Sequence, residues 1–255
     1  MILAWIGAIL IGVTLGLLGS GGSILTLPVL TYLVGQETKV AIASSLMIVG
    51  VISVFAAIPY ALQKQIKWRT VVLFGIPGMV GAVAGAWAAH YVSDAIQMLI
   101  FSALMLIASY LMFKPVALKE ADHEHSERAM NQIIIDGFVV GLVTGIVGVG
   151  GGFLIIPALV LLGGLSMRLA IGTSLVIIAI KSFAGFLGYL TVLDALNLTI
   201  DWEIIALFSI LGIIGGWIGH KLGNEVNQTH LKQGFAVFLV LMGLFILYEN
   251  IPSLF

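Results

Sequence analysis

Residues 16–46 of this chain recur as residues 145–175. Laid over each other without a gap, the two stretches share 13 of 31 positions: Gly16, Gly19, Gly21, Gly22, Leu25, Pro28, Leu30, Leu33, Gly35, Ala41, Ile42, Ser45 and Leu46 match their counterparts. The match resumes further on. Ile66, Trp68, Leu73, Phe74, Gly78, Gly81 and Gly85 lie over Ile200, Trp202, Leu207, Phe208, Gly212, Gly215 and Gly219. The fold must therefore be one that two copies of a unit can build, and each copy opens with an apolar segment interrupted by glycines.

The surrounding solvent follows from composition. The chain has 255 residues, 60% of them hydrophobic and only 9% charged, with a mean hydropathy of +1.17. Soluble domains carry about 25% charged residues, so this chain lacks the means to cover a water-facing surface. Lipid is its solvent. The 31 glycines fit that reading, because small residues let membrane helices approach closely, and the absence of cysteine excludes disulfides and thiol chemistry. Met1-Ile-Leu-Ala-Trp lacks the positive leading region of a secretory signal. Its segment also has an internal homologue, so we read it as retained.

Apolar runs long enough to cross a bilayer, about 20 residues each, lie at roughly 40–61, 69–90, 95–113, 169–190, 203–221 and 231–249. Segments 1–35 and 131–163 are broken at their glycine clusters. Repeat 1 is thus 1–113, repeat 2 is 131–255, and a polar linker, 114–130, joins them within a single membrane domain. If the broken segments turn back on themselves, one side of the membrane collects Lys64, Lys67, Arg69, Lys114, Lys119, Arg128, Arg168, Lys221 and Lys232. The other side holds Lys39 alone. Cytoplasmic loops carry the positive excess, so this arrangement is favoured over eight single crossings. The expected fold is an all-α integral membrane protein of two inverted repeats. Each repeat has a glycine-broken, re-entrant-like hairpin plus three transmembrane helices, and the termini lie outside.

The second arm at 152–163 spans about 18 Å as a helix, short of a core of about 30 Å, which predicts a half-helix turning near the midplane. Pro28 and Pro157 are expected inside these short arms, within the first two turns, where proline costs least. Unwound backbone at Gly19-Ser20-Gly21-Gly22-Ser23 and Gly148-Val149-Gly150-Gly151-Gly152 is tolerable at membrane depth only when buried or lining a polar cavity. Each cluster opens a half-helix whose first N–H groups lack helical partners and carry the positive dipole end. Two such ends would form an anion site of backbone amides, the arrangement expected of a two-repeat transporter. Close helix packing is the structural alternative for the glycines. Ser45 and the Thr173-Ser174 pair could donate hydroxyls. Lys181, deep in Ile177-Ile-Ala-Ile-Lys181-Ser-Phe, is too far from a helix end to snorkel comfortably and suits an anionic substrate. A structural lysine bonded to broken-helix carbonyls is the alternative. Lys39 and Arg168 are matched charges at the mouths, where they could attract an anion or simply anchor the interface. His123-Glu-His125 reads as solvated loop. Gly12-xxx-Gly16, Gly81-xxx-Gly85, Gly141-xxx-Gly145 and Gly215-xxx-Gly219 read as helix-packing motifs, within or between protomers. No nucleophile–base pair or metal-ligand cluster in the apolar segments points to an enzyme, a metal or a cofactor, and nothing points to nucleic acid.

At these residues the chain resembles the TauE/SafE family of sulfite exporter-like permeases. The matching features are the glycine-rich stretches running into Pro28 and Pro157, Ala170-Ile-Gly-Thr-Ser174, Tyr60 and Tyr189, and the Trp68 and Trp202 segments. The first copy departs from the fuller pattern: Ser23 replaces a glycine, and Ala43-Ser44 stand where the second copy has Gly172-Thr173. The resemblance implies a secondary transporter of small sulfur-containing anions such as sulfite or organosulfonates in a bacterial-type inner membrane. Alternating access would operate around a midplane site at the helix breaks, with a proton as candidate coupling ion and a homodimer as candidate assembly. A passive anion channel, or a carrier of thiosulfate or a small carboxylate, is the alternative.

Overall fold

The computed structural model describes residues 2–89, 94–113, 130–147, 152–195 and 197–250. Among the described residues every regular element is helical: α1 (Ile2–Leu18), α2 (Gly21–Pro28), α3 (Thr38–Leu62), α4 (Trp68–Ala89), α5 (Asp94–Phe113), α6 (Met130–Val147), α7 (Gly152–Pro157), α8 (Met167–Ala195), α9 (Trp202–Glu225) and α10 (Gln228–Asn250). Among them α3, α4, α8, α9 and α10 are long and apolar enough to span a membrane. The sixth expected span is α5, with 20 residues. Their outward faces are apolar, as lipid requires: Val72, Ile76, Val80 and Val83 on α4, and Ile210, Ile214, Trp217 and Ile218 on α9, are all exposed. Trp68 and Trp202, matched between the repeats, are exposed at the first residues of α4 and α9, where amphipathic rings suit an interface.

Both short arms carry the same irregularity. The two prolines close the α-helical part, Pro157 as its sixth residue, within two turns, and Pro28 as its eighth, just beyond them. Directly after them the ladder widens to π-helix, over Val29–Leu33 and Ala158–Leu162. Proline removes one rung of the i→i−4 ladder, and the next bonds slip by one residue: Val34 N–H donates to Val29 O (3.1 Å) and Gly163 N–H to Ala158 O (2.8 Å). Each arm then ends on a left-handed glycine, Gly35 (φ 78°) or Gly164 (φ 65°). Each termination is sealed by a six-residue return bond, Gln36 N–H to Leu30 O and Leu165 N–H to Leu159 O, both 3.0 Å, in the manner of a Schellman cap.

The chain divides into two compact units, Met1–Val71 with Arg168–Asn227, and Val72–Met167 with Gln228–Phe255. Neither unit is one repeat; each takes helices from both. In the first unit, α1 lies against α9 so closely that a Cβ on Gly12 would strike the carbonyl of Gly212, and one on Gly16 that of Gly216. Gly215 and Gly219 stand likewise against the carbonyls of Ile9 and Val13. On α3, Ile52 fills the space over Gly212, Ala56 lies over Gly216 and the Tyr60 ring meets His220 edge-on at 4.4 Å. These pairings rise together in residue number, so α1, α3 and α9 run parallel.

A chain that leaves α1 and enters α3 in the same direction must turn back between them. The arm formed by α2 and its π-helical extension does so, with Gly22 against Leu15 and Gly7 against Val29. The first broken segment is a hairpin. In contrast α8 runs antiparallel to α3: Leu46 meets Gly185, Gly50 meets Phe183, and Tyr60 meets Gly172. Val40, Ala43, Phe186 and Leu193 form the apolar cluster at the far end of that pair.

In the second unit, α6 lies on α4 through glycines again, with Gly141 against the Gly78 carbonyl, Gly81 against Phe138 and Gly137 against Phe74. This is the α1–α9 contact with the repeats exchanged, since Gly141 matches Gly12 and Gly78 matches Gly212. The packing motifs therefore serve contacts inside the chain. Helices α5 and α10 pair in the same unit, where the Ser109 hydroxyl donates to Ala236 O at 2.9 Å.

Candidate functional site

The turn of the first hairpin is built from Leu15 to Gly22. Gly19 takes φ 71°, a left-handed conformation that a side chain would oppose, and its N–H closes on Leu15 O at 2.7 Å. A helix that ends inside a membrane leaves its last carbonyls without partners. Two hydroxyls from other helices satisfy them here. Tyr60 Oη on α3 donates to Gly16 O at 2.9 Å, and Ser174 Oγ on α8 donates to Gly19 O at 3.0 Å while also lying 2.9 Å from Ile171 O. Beside Ser174, Thr173 Oγ1 accepts the Lys67 N–H at 3.1 Å. Helix α2 then opens at Gly21 with Ser20 in the cap position and no side-chain cap. Ser20, Gly21 and Gly22 are all buried.

Along the helices that hold it, this turn stands nearer one end than the middle. Ser174, which holds it, lies seven residues into α8, about 10 Å from its start, and Tyr60 is two residues from the end of α3. The turn therefore sits near the end where α3 finishes and α8 begins. The first arm of the hairpin, α1, with 17 residues, is about 25 Å long.

Lys181 lies at the middle of its helix. It is 14 residues from each end of α8, half-buried, and level with the middle of α3, between the Gly50–Phe183 and Tyr60–Gly172 contacts. Seven residues separate it from Ser174, so both share one face of α8, about 10 Å apart along the axis. Among the described residues its ammonium has no hydrogen-bond or ion-pair partner. Its repeat counterpart, Ile52, is fully buried against Gly212.

The other expected residues scatter. Ser45 lies near the start of α3, some 20 Å along that helix from the turn, and its hydroxyl donates to Ile42 O at 2.8 Å. Lys39 is exposed at that same end. Arg168 is at the opposite end, with Nη2 donating to Asn224 O at 2.9 Å. Ser23 and Pro28 are described by backbone alone, as part of α2. Gly152 opens α7 and is buried. Gly148, Gly150, Gly151 and residues 114–129, including His123 and His125, lie outside the described residues.

One cluster escaped the sequence reading. Around His220 Nε2 stand Gln63 Nε2 at 3.2 Å and Asn224 Nδ2 at 3.0 Å, with Tyr60 packed on the ring and Arg168 bound to the Asn224 carbonyl. A histidine one residue before Lys221 reads as solvated helix end, yet it is 7% exposed. Only the parallel packing of α3 on α9, invisible in either helix alone, buries it.

Comparison with known proteins agrees with this membrane architecture. The model of the family described as sulfite exporter TauE/SafE matches residues 4–246. The chain belongs to the TauE/SafE family. A protein of Xylella fastidiosa named probable membrane transporter protein is 31% identical over 96% of this chain and 94% of its own length. Similarly named relatives from Methanocaldococcus jannaschii and Bacillus subtilis are each 27% identical, covering 94% of both chains and 96% of both chains respectively. No solved structure matches. Like these relatives, this TauE/SafE protein is a multi-pass membrane transporter, and the family is one of transporters rather than enzymes.

Proposed function

We propose that this TauE/SafE protein is a secondary transporter of small sulfur-containing anions, sulfite or an organosulfonate, working by alternating access. The observation that carries this reading is Lys181, a cation at the centre of an apolar helix with no protein partner among the described residues. Intramembrane cations are costly unless compensated, and an anionic substrate supplies the compensation. The uncapped start of α2 adds a second source of positive potential on the side of the first hairpin turn. The site in this reading centres on Lys181 rather than on the glycine break itself.

The antiparallel run of α3 and its counterpart α8 supports inverted repeats, the design in which two opposed halves exchange access. Orientation rests on charge. In the first unit, Lys64, Lys67, Arg69, Arg168 and Lys221 gather at the end where α3 and α9 finish, and Lys39 stands at the other. The former is the cytoplasmic end by the positive-inside rule, in a bacterial-type inner membrane, with the termini outside. A proton is the coupling ion in this reading and a homodimer the assembly.

Purified protein in liposomes should take up labelled sulfite saturably and respond to an imposed proton gradient. Absence of sulfite or sulfonate flux under both conditions sinks the reading. Flux that never saturates favours a channel, and flux of thiosulfate or a small carboxylate alone reassigns the substrate.

A further inference from the structure

The polar cluster at the loop end of the first unit holds two buried nitrogens without a partner among the described residues. Gln63 Nε2 and Asn224 Nδ2 are amide nitrogens, which only donate, and both face His220 Nε2. In the tautomer that lets this nitrogen accept from an amide, the ring proton sits on Nδ1. Nδ1 is buried without a partner, although the residue is 93% enclosed (7% exposed). Arg168 presents the second: its Nη2 is engaged with Asn224 O, while Nε is buried and unpartnered. No carboxylate pairs with this guanidinium among the described residues.

The two donors are joined through Asn224, which touches His220 with its side chain and Arg168 with its carbonyl. Two carbonyls of the nearby turn already have donors. Gly16 O and Gly19 O, the negative end of α1, are occupied by Tyr60 Oη and Ser174 Oγ, and Tyr60 is itself packed on His220. Buried donors without acceptors cost free energy, and an unpaired, partly buried guanidinium costs more. An oxyanion within reach of both would relieve both, since its oxygens can accept from a ring N–H and a guanidinium N–H together.

We infer that His220 Nδ1–H and Arg168 Nε–H form a small-oxyanion subsite beside the first hairpin turn, a station distinct from Lys181. The choice of sulfite as probe rests on the transport reading above; the subsite itself rests on the donors. A free anion and a lipid phosphate share the required chemistry, and the burial of Nδ1 favours the free anion.

The test uses the full chain in neutral detergent with isotope-labelled histidine, assigning the His220 signal by its loss in His220→Gln. Sodium sulfite should move that signal saturably while sodium chloride at equal ionic strength does not. Arg168→Gln should weaken the apparent affinity about tenfold or more, the worth of one charge-assisted bond, and Arg168→Lys, which keeps the charge, should weaken it less. A His220 signal unmoved by sulfite at concentrations that stabilise the protein thermally overturns the subsite. So does unchanged affinity in both Arg168 variants, or a shift produced by phosphatidylglycerol nanodiscs without added anion. If Arg168→Gln fails to fold, the wild-type titration and Arg168→Lys still decide. Sulfite flux without a His220 response removes the subsite and leaves the transport reading. A saturable His220 response without flux does the reverse.

Discussion

Ser174 Oγ lies 3.0 Å from the carbonyl of Gly19, so a hydroxyl of the second repeat closes the helix break of the first. That carbonyl has no helical partner, and water is not at hand inside a membrane to supply one. The motif glycine and the motif serine are thus two halves of one device, separated by 155 positions in sequence.

Ser174→Ala should therefore act on stability first. Loss of the hydroxyl strands a buried carbonyl and costs about 1–2 kcal/mol. Thermal unfolding in detergent should show the drop, while the KM for sulfite in liposomes stays within about twofold, because the hydroxyl's hydrogen is already shared between Gly19 O and Ile171 O. A raised KM with unchanged melting would return Ser174 to the substrate.

The glycine contacts of α1 and α9 make a steeper prediction. Small residues allow backbones to touch, and at Gly12 and Gly16 an added Cβ would strike a carbonyl of α9 rather than a yielding side chain. Gly12→Val should abolish accumulation of folded protein in the membrane. Gly234→Ala, on α10 with nothing within 4 Å of the added Cβ, should leave it unchanged, as judged by monodisperse yield from size-exclusion chromatography.

The pattern of glycines and prolines made much of this legible. Gly12, Gly16, Gly215 and Gly219 were readable as packing motifs because spacing alone puts them on one helix face. The first hairpin was readable because a cluster at Gly19 breaks a segment, and the Lys and Arg positions favour a reversal there over a crossing. What spacing could not give was depth. The turn's level depends on the length of α1 and on which residues of α3 and α8 stand beside it. Nor could it give His220, whose burial arises from a partner helix 160 positions away in sequence (His220 over Tyr60). The α-to-π switch after Pro28 and Pro157 was hidden for a different reason: hydropathy is the same in either ladder.

The matched left-handed glycines yield a paired test. Gly35 and Gly164 end the two short arms with φ near 78° and 65°, and an added Cβ would meet no neighbour at either. Any cost of Gly35→Ala or Gly164→Ala is thus conformational, about 1–2 kcal/mol each for a left-handed non-glycine residue. Melting of the single and double variants should show similar and additive losses, since no shared contact couples them. Replacement by asparagine, which tolerates this conformation better, should recover part of each.

Lys181 separates a functional cation from a structural one by sign. A lysine that held broken-helix carbonyls would stabilise the fold, and its removal would lower the melting temperature. Here the ammonium has no partner among the described residues, so it is a cost to the empty protein. Lys181→Met keeps the length and apolar stem of the side chain while deleting the charge. We expect the melting temperature of Lys181→Met to hold or rise in the absence of anion and sulfite uptake to fall about a hundredfold in kcat/KM. That fall corresponds to about 2.7 kcal/mol of lost charge interaction. Lys181→Arg, which preserves the charge, should retain measurable uptake with a raised KM, because the planar guanidinium presents its donors in a different geometry. The added stabilisation that sulfite gives the wild type should disappear in Lys181→Met. A destabilised Lys181→Met protein that still transports would make Lys181 a structural residue and move the substrate away from the centre of α8.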